Sequence, residues 1–271
     1  MTALRRTRDA ALASLLAAAC VTQAQTPSAP TTFEPTVGQA GKDVVWVPTP
    51  QALVDRMLDM AKVTPNDFVI DLGSGDGRTV ITAAKRGARA HGIEYNPDMV
   101  ELSKRNADKE GVSGKATFAQ ADLFKSDFSQ ASVITMFLLP DINIKLRPKI
   151  LDLKPGTRVV SNSFTMGEWN ADETATAGGE CSSWCTAYLW IVPAKVQGTW
   201  KLPQGELALK QSFQMVAGTL RTEGKSMPLQ DGRVRGDEIV FMAGGVQYSG
   251  KINGKRIDGK TGNGGSWSAT R

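Results

Sequence analysis

Residues 67–78 read DFVIDLGSGDGR, an apolar run that breaks at once into glycines at positions 73, 75 and 77. Each glycine costs conformational entropy on folding, so three at alternate positions imply a backbone that turns tightly or lets another group come close. The chain around this stretch alternates regularly between short apolar runs and segments of helical period. Thr49 is placed to cap a helix that starts at Pro50, with Leu53, Val54, Met57, Leu58 and Ala61 on one face. Strands are expected at 68–72, 88–94, 116–120, 132–139 and 158–164. Helices are expected over 78–86, where Gly87 stops the element, from the Asn96-Pro97 cap to about 109, and over 141–153, disturbed by Pro148. Strands apolar on both faces, separated by helices, imply an α/β fold: a Rossmann-like, doubly wound parallel sheet covered on each side. Ligands of such sheets bind at the carboxyl ends of the strands, which is where DLGSGDG lies.

Two ligand classes use a glycine-rich turn at this point, dinucleotides and S-adenosylmethionine. The dinucleotide fingerprint is G-x-G-x-x-G, whereas Gly73, Gly75 and Gly77 are spaced one residue shorter. Asp71 and Asp76 flank the loop, and two carboxylates beside a pyrophosphate would repel it. The ammonium of an amino acid needs such an acceptor, so the loop, with Ser74 inside it, suits S-adenosylmethionine better. Glu94 ends the second strand and is placed to accept ribose hydroxyls, a device that nicotinamide enzymes share. Asp122 follows the third strand and is expected to accept from the adenine amino group, with a backbone N–H of Leu123 or Phe124 donating to the ring. Three acids at the ends of three consecutive strands argue together where each alone would not.

On these motifs residues 44–169 resemble the class I, seven-β-strand methyltransferases. VPTP, DLGSGDGR, GIEYNPDMVELSKRNA, ADLF, FLLPDINIKLRPKI, LKPGTRVVSNSF and MGEW are similar to one subgroup. That subgroup is the bacterial relatives of the mitochondrial protein-lysine methyltransferases acting on the ATP synthase c subunit and the adenine nucleotide translocator. The resemblance implies strand order 3-2-1-4-5-7-6, the seventh strand antiparallel, with ETATA (173–177) as the sixth and TAYLWIVP (186–193) as the seventh. It implies methyl transfer from S-adenosylmethionine to an acceptor, with a protein lysine as one candidate. The NPPY-type signature is absent, FLLPD standing in its place, which argues against adenine or glutamine acceptors.

Such a transfer requires alignment and exclusion of water more than acid–base groups. The single histidine, His91, reads as a packed strand residue. Leu139, Pro140 and Asp141 after the fourth strand, Asn162 and Phe164 at the fifth, and Trp169 beyond it are the acceptor-side candidates. Asp141, Asn162 and Trp169 are the expected catalytic residues. Thr49 and Pro50 are expected to close over the methionine end of the cofactor.

After about residue 195 the pattern changes to strands of five to seven residues punctuated by glycine, as in RVRGDEIVFMAGG and VQYSGKINGKRIDGK. The expected form is an antiparallel β-rich accessory domain over 196–271, a small barrel or sandwich, that binds substrate or caps the sheet. At the other end, residues 1–24 carry a basic start (Arg5, Arg6, Arg8), an Ala/Leu stretch and small residues at Thr22 and Ala24, a secretory signal pattern too short to span a bilayer. Residues 25–43, rich in Thr, Pro and Gln, read as a flexible linker, and the methyltransferase domain as 44–195. Export to the periplasm or cell envelope is expected, or a cytoplasmic location if the leader does not function. With Cys20 lost, Cys181 and Cys185 remain, as a disulfide loop or as two free thiols. One histidine and so few cysteines leave no metal site expected. The net charge is +5, but its positive charges are scattered, so no nucleic-acid partner is expected. The alternative to an enzyme is an exported binding protein that keeps the fold without transfer, since the methyl donor is made in the cytoplasm; a nicotinamide oxidoreductase is a third reading.

Overall fold

A computed structural model describes residues 1–2, 33–179 and 181–271. The expected leader, and Cys20 with it, lie outside the described residues apart from the first two positions. The α/β part runs α1 (Gln51–Met60), β1 (Phe68–Leu72), α2 (Arg78–Lys85), β2 (Arg89–Glu94), α3 (Pro97–Lys109), β3 (Ala116–Gln120), β4 (Val133–Met136), α4 (Pro140–Leu151), β5 (Arg158–Asn162), β6 (Glu173–Thr176) and β7 (Thr186–Ile191). Its seven strands lie in the order β3-β2-β1-β4-β5-β7-β6. β1 to β5 are mutually parallel, and β7 pairs antiparallel with β5 and β6.

Alternation along the strands sorts the core into two layers. Val69, Val133 and Val160 pack with Leu53, Val54 and Leu58 of α1 and with Val80 and Ala83 of α2. Ile70, Leu72, Ile134, Met136 and Val159 face the opposite way, onto Ile142, Leu146 and Ile150 of α4. Each central strand is therefore covered twice, which is why its sequence is apolar throughout. Asn96 caps α3 by accepting from the Asp98 N–H at 2.9 Å, with Pro97 as the first helical residue.

Three local expectations change. Thr49 does not cap α1: Pro50 holds the cap position without a side-chain bond, and the Thr49 hydroxyl accepts from Asn162 Nδ2 at 3.2 Å. The apolar run at 132–139 is a strand only over β4; Phe137, Leu138 and Leu139 leave the ladder at the carboxyl edge, where α4 begins at Pro140. Residues 38–46, expected to lie largely in a linker, fold into a small hairpin. Gly38 N–H donates to Trp46 O at 2.8 Å, Trp46 N–H to Gln39 O at 2.9 Å, and Ala40 bridges Val45.

The remaining strands are β8 (Gly198–Leu202), β9 (Gly205–Ser212), β10 (Met215–Thr222), β11 (Lys225–Pro228), β12 (Gln230–Arg235), β13 (Glu238–Ala243), β14 (Val246–Asn253), β15 (Arg256–Thr261) and β16 (Ser266–Thr270). Because β9 pairs with both β8 and β10, eight of them close into an antiparallel barrel, with β11 added outside on β10. Trp200, Leu207, Val234, Ile239, Phe241 and Ile257 fill its interior. Closure removes the open edges a flat meander would expose.

The turn between β9 and β10 docks the barrel on the α/β sheet. Phe213, at its tip, stacks on Trp169 with ring centroids 6.1 Å apart and lies under the Arg147 guanidinium. Gln214 is buried and donates to Asn170 O at 2.8 Å, and Arg235 pairs with Glu173 at 2.7 Å. Trp169, expected in the acceptor channel, is instead fully buried between Trp190 and Phe213. Among the described residues no helix is long and apolar enough to cross a membrane.

Candidate active site

The carboxyl ends of β1, β2, β3 and β4 open onto a cavity of about 560 Å³, within the usual range for a small-molecule site. Asp71 sits at its base on β1, only 6% exposed, and accepts from Thr135 Oγ1 on β4 at 2.7 Å. Burial, reinforced by Glu94 and Asp76 and opposed by the Thr135 bond, pushes its carboxyl up to about 7. A buried acid without a cation of its own is poised for a ligand cation.

The glycine loop sets the next wall. Gly73, Ser74 and Gly75 line the cavity, whereas Gly77 sits behind it as the left-handed residue (φ 82°) that starts α2. A side chain at Gly77 would meet the Phe118 ring at 2.8 Å and Ser103 Cβ at 2.9 Å. The Ser74 hydroxyl is buried on this wall with no hydrogen-bond partner among the described residues. Glu94 takes the Tyr95 and Asn96 N–H groups on one oxygen, at 2.8 and 2.9 Å, and Gly75 N–H on the other at 3.0 Å. A carboxylate has about four acceptor sites, so room remains for a ligand hydroxyl.

Asp122 and Leu123 reach the cavity from the loop after β3. Asp122 Oδ1 accepts from Phe124 N–H at 2.9 Å, so of the two amides expected to donate to a ligand ring only Leu123's is left available. Its Oδ2 is bound by Lys42 Nζ at 2.8 Å, and this partner holds the Asp122 carboxyl below the usual carboxylate range. Lys42 also lies over the Tyr95 ring, 4.9 Å from its centroid. The hairpin that carries Lys42 therefore straps the cavity, and Trp46 packs so closely on Gly75 that a Cβ there would lie 2.7 Å from its indole nitrogen. Arg78 secures the next segment, pairing with Asp76 at 2.6 Å and donating to Thr49 O at 2.8 Å. Thr49 thereby joins the cavity wall.

The expected catalytic residues are not brought together. Asp141 is exposed in the first turn of α4 and is not on the cavity wall. Asn162 is fully buried and positions Thr49. Trp169 belongs to the barrel junction, because a ring flanked by Trp190 and Phe213 has no path to the cavity. Of the expected acceptor side only Leu139 and Phe164 line it, with Phe137 and Trp184, which the sequence did not single out. His91 is half-buried on β2, its Nδ1 2.8 Å from Thr117 Oγ1, and burial pulls its imidazole down, as befits a packed strand residue. Cys181 and Cys185 form a disulfide. Among the described residues no group of three or more His, Cys, Asp or Glu is placed to hold a metal.

The residues present fit S-adenosylmethionine: a buried acid for its ammonium, an orphaned hydroxyl in the loop, an acid at the end of β2 for a ribose, and an acid with a free amide after β3 for a base. The strand order and this ring of acids define an S-adenosylmethionine-dependent methyltransferase. A family model described as the ANTKMT methyltransferase domain matches residues 71–173. A protein-lysine N-methyltransferase from Saccharolobus islandicus is 44% identical over 153 residues, 55% of this chain and 94% of that protein. The Rattus norvegicus lysine N-methyltransferase named for the ATP synthase c subunit is 38% identical over 134 residues, 49% of this chain and 62% of its own length. A crystal structure described as an RNA methyltransferase from Salinibacter ruber, in complex with S-adenosyl-L-homocysteine, is 47% identical with a TM-score of 0.52, covering 55% of this chain and 96% of that one. The chain belongs to this family of S-adenosylmethionine-dependent methyltransferases.

Proposed function

We propose that the chain is a protein-lysine N-methyltransferase. The observation that carries this reading is the character of the cavity beyond Asp71 on the β4/β5 side, where Phe137, Leu138, Leu139, Ile142, Phe164 and Trp184 form an apolar, aromatic wall. Among the described residues the two basic ones on the cavity wall, Lys42 and Arg78, are already paired with Asp122 and Asp76. A phosphate-bearing acceptor would find no free cation among these described residues, whereas an alkyl chain ending in an amine is matched by apolar walls. The names of the Saccharolobus islandicus and Rattus norvegicus relatives support the same acceptor.

When bound, S-adenosylmethionine supplies an electrophilic methyl group on sulfonium. The residues of this chain do the rest. Asp71, ionised, holds the ligand ammonium; Glu94 and the loop after β3 orient the nucleoside; Thr49, fixed by Arg78 and Asn162, closes the methionine side. The buried aliphatic part of that wall, Leu138 and Ile142, strips water from the amine and lowers its pKa, so that it attacks with its lone pair free. Its proton is lost to solvent at the cavity mouth before attack.

The experiment is methyl transfer from tritiated S-adenosylmethionine into cell protein and, separately, into RNA, followed by acid hydrolysis of the protein. Label recovered as methyl-lysine is the expected result; label in RNA, or in another amino acid, refutes the reading. We propose, further, that the chain works in an oxidising compartment. The leader pattern at 1–24 and the Cys181–Cys185 disulfide support this. Mass spectrometry of the amino terminus of the cell-made protein tests it, an intact Met1 counting against export.

A further inference from the structure

Three aromatic rings from separate parts of the chain meet at the mouth of the cavity. Phe137 follows β4, Phe164 follows β5, and Trp184 lies in the loop before β7. Their centroids are 6.0 Å apart for Phe137–Phe164, 5.7 Å for Phe137–Trp184 and 5.5 Å for Phe164–Trp184, and all three line the cavity. Trp184 is 44% exposed, and with the two phenylalanines it makes a contiguous aromatic patch open to the cavity rather than a lone surface ring.

The chain goes to some lengths to keep these rings there. Trp184 stands inside the five-residue ring closed by Cys181 and Cys185, with φ 55°. Cys181 packs against the hydrophobic layer of α1 and α2, and Cys185 O accepts from Ala177 N–H at 2.8 Å, so the loop is fastened at both ends. Phe164 follows Ser163, also left-handed at φ 56°, and Asn143 of α4, fully buried, donates to Thr165 O at 3.2 Å to hold that bend. Two non-glycine residues in the left-handed region are disfavoured locally, and such positions persist where the surroundings enforce them, often at sites of function.

We propose that Trp184, presented by the disulfide loop, forms with Phe137 and Phe164 a three-ring seat that selects a cationic alkyl side chain at the acceptor mouth. The proposal rests on the lysine reading above and names the residues that would carry it. Ring faces attract an ammonium, and the charge that leaves the sulfonium in the transfer appears on the acceptor nitrogen. As the N–C bond forms from the nitrogen lone pair and the C–S bond breaks, the C–S electron pair stays on sulfur and the positive charge stays on the methylated nitrogen. Rings at this position therefore favour the arriving side chain and its methylated product over a neutral isostere.

The test uses the full chain saturated with S-adenosyl-L-homocysteine and two probes, Nα-acetyl-lysine methylamide and its uncharged counterpart Nα-acetyl-norleucine methylamide. The Trp184 indole N–H resonance, assigned with Trp184→Phe, is expected to shift saturably with the lysine probe and not with the norleucine probe. Trp184→Ala is expected to raise KM for a lysine acceptor by about 2- to 30-fold, with homocysteine-ligand affinity unchanged and partial rescue by Trp184→Phe. Cys181→Ser/Cys185→Ser is expected to weaken the lysine-probe response in the same direction. Equal response to norleucine, or unchanged KM in Trp184→Ala, overturns the seat while leaving lysine transfer by the wild type intact. Absence of methyl-lysine with the wild type removes the lysine reading, and the seat with it.

Discussion

Asp71 concentrates the conflict between stability and ligand binding in one side chain. Its carboxyl is raised to about 7 in the fold, above the value it has in the unfolded chain, so between those values the native state binds the extra proton. Stability of the empty protein therefore falls as pH rises from about 4 to 7, a span on the order of 4 kcal/mol for a fully buried group. Asp71→Asn removes that dependence. It is expected to raise the denaturation midpoint of the ligand-free protein at pH 8, measured in urea, while abolishing S-adenosyl-L-homocysteine binding by calorimetry. For the wild type, ligand affinity is expected to weaken as pH falls below about 7, because the ammonium's partner is then neutral. Gly77 is constrained by space as well as by backbone. With φ 82° and a Cβ that would meet Phe118 and Ser103 below 3.0 Å, Gly77→Ala is expected to cost about 2–3 kcal/mol in chemical denaturation.

The hairpin at 38–46 is held over the site by Trp46 against Gly75 and by Val44 on the hydrophobic layer of α4, and it has one exposed electrostatic tie. Lys42 joins it to Asp122 and to the Tyr95 ring, so removing Lys42 breaks one ion pair and one cation–π contact. Exposed pairs of this kind contribute little and are screened by salt. Lys42→Ala is accordingly expected to speed S-adenosyl-L-homocysteine release by no more than about fivefold in stopped-flow measurements, with the fold's stability unchanged. Because this tie is electrostatic, release in the wild type is expected to depend on ionic strength and in the variant not to. Asn162 behaves in the opposite way: buried and bonded to Thr49, it joins β5 to the segment before α1 and acts on the site only through that segment.

At the scale of the molecule, the barrel and the sheet share a junction built on Trp169, Trp190 and Phe213. Two fully buried tryptophans and a partly buried phenylalanine across one contact make independent unfolding of the two parts costly. Scanning calorimetry of the wild type is expected to show one transition. Phe213→Ala, which empties the wedge beneath Arg147, is expected to lower stability by about 1–3 kcal/mol and to split the transition in two. Ligand affinity in that variant is expected to hold, since Phe213 is not on the cavity wall.

Local chemistry was enough to read the α/β part. The DLGSGDG turn, the Asn96-Pro97 cap and the both-sided apolar strands are short-range features, each imposed by backbone geometry or by burial within a few residues. The acids that ring the cavity were legible for the same reason, because each ends a strand and strand ends converge in a parallel sheet. The ring chemistry of the acceptor mouth was not. Trp184 and Phe164 lie 20 residues apart and Phe137 lies 27 before Phe164, and nothing in their neighbours marks them as partners. Trp169 was misplaced because a tryptophan after β5 looks the same in sequence whether it faces a ligand or a second domain; the turn at Phe213, 44 residues later, decided it. What the amino-acid order determined alone was the element pattern and the cofactor acids, since both follow from neighbours along the chain. Which aromatic rings meet, which acid is buried enough to change its ionisation, and where the barrel docks were decided only in tertiary structure, because burial and contact between distant residues exist only once the chain has closed.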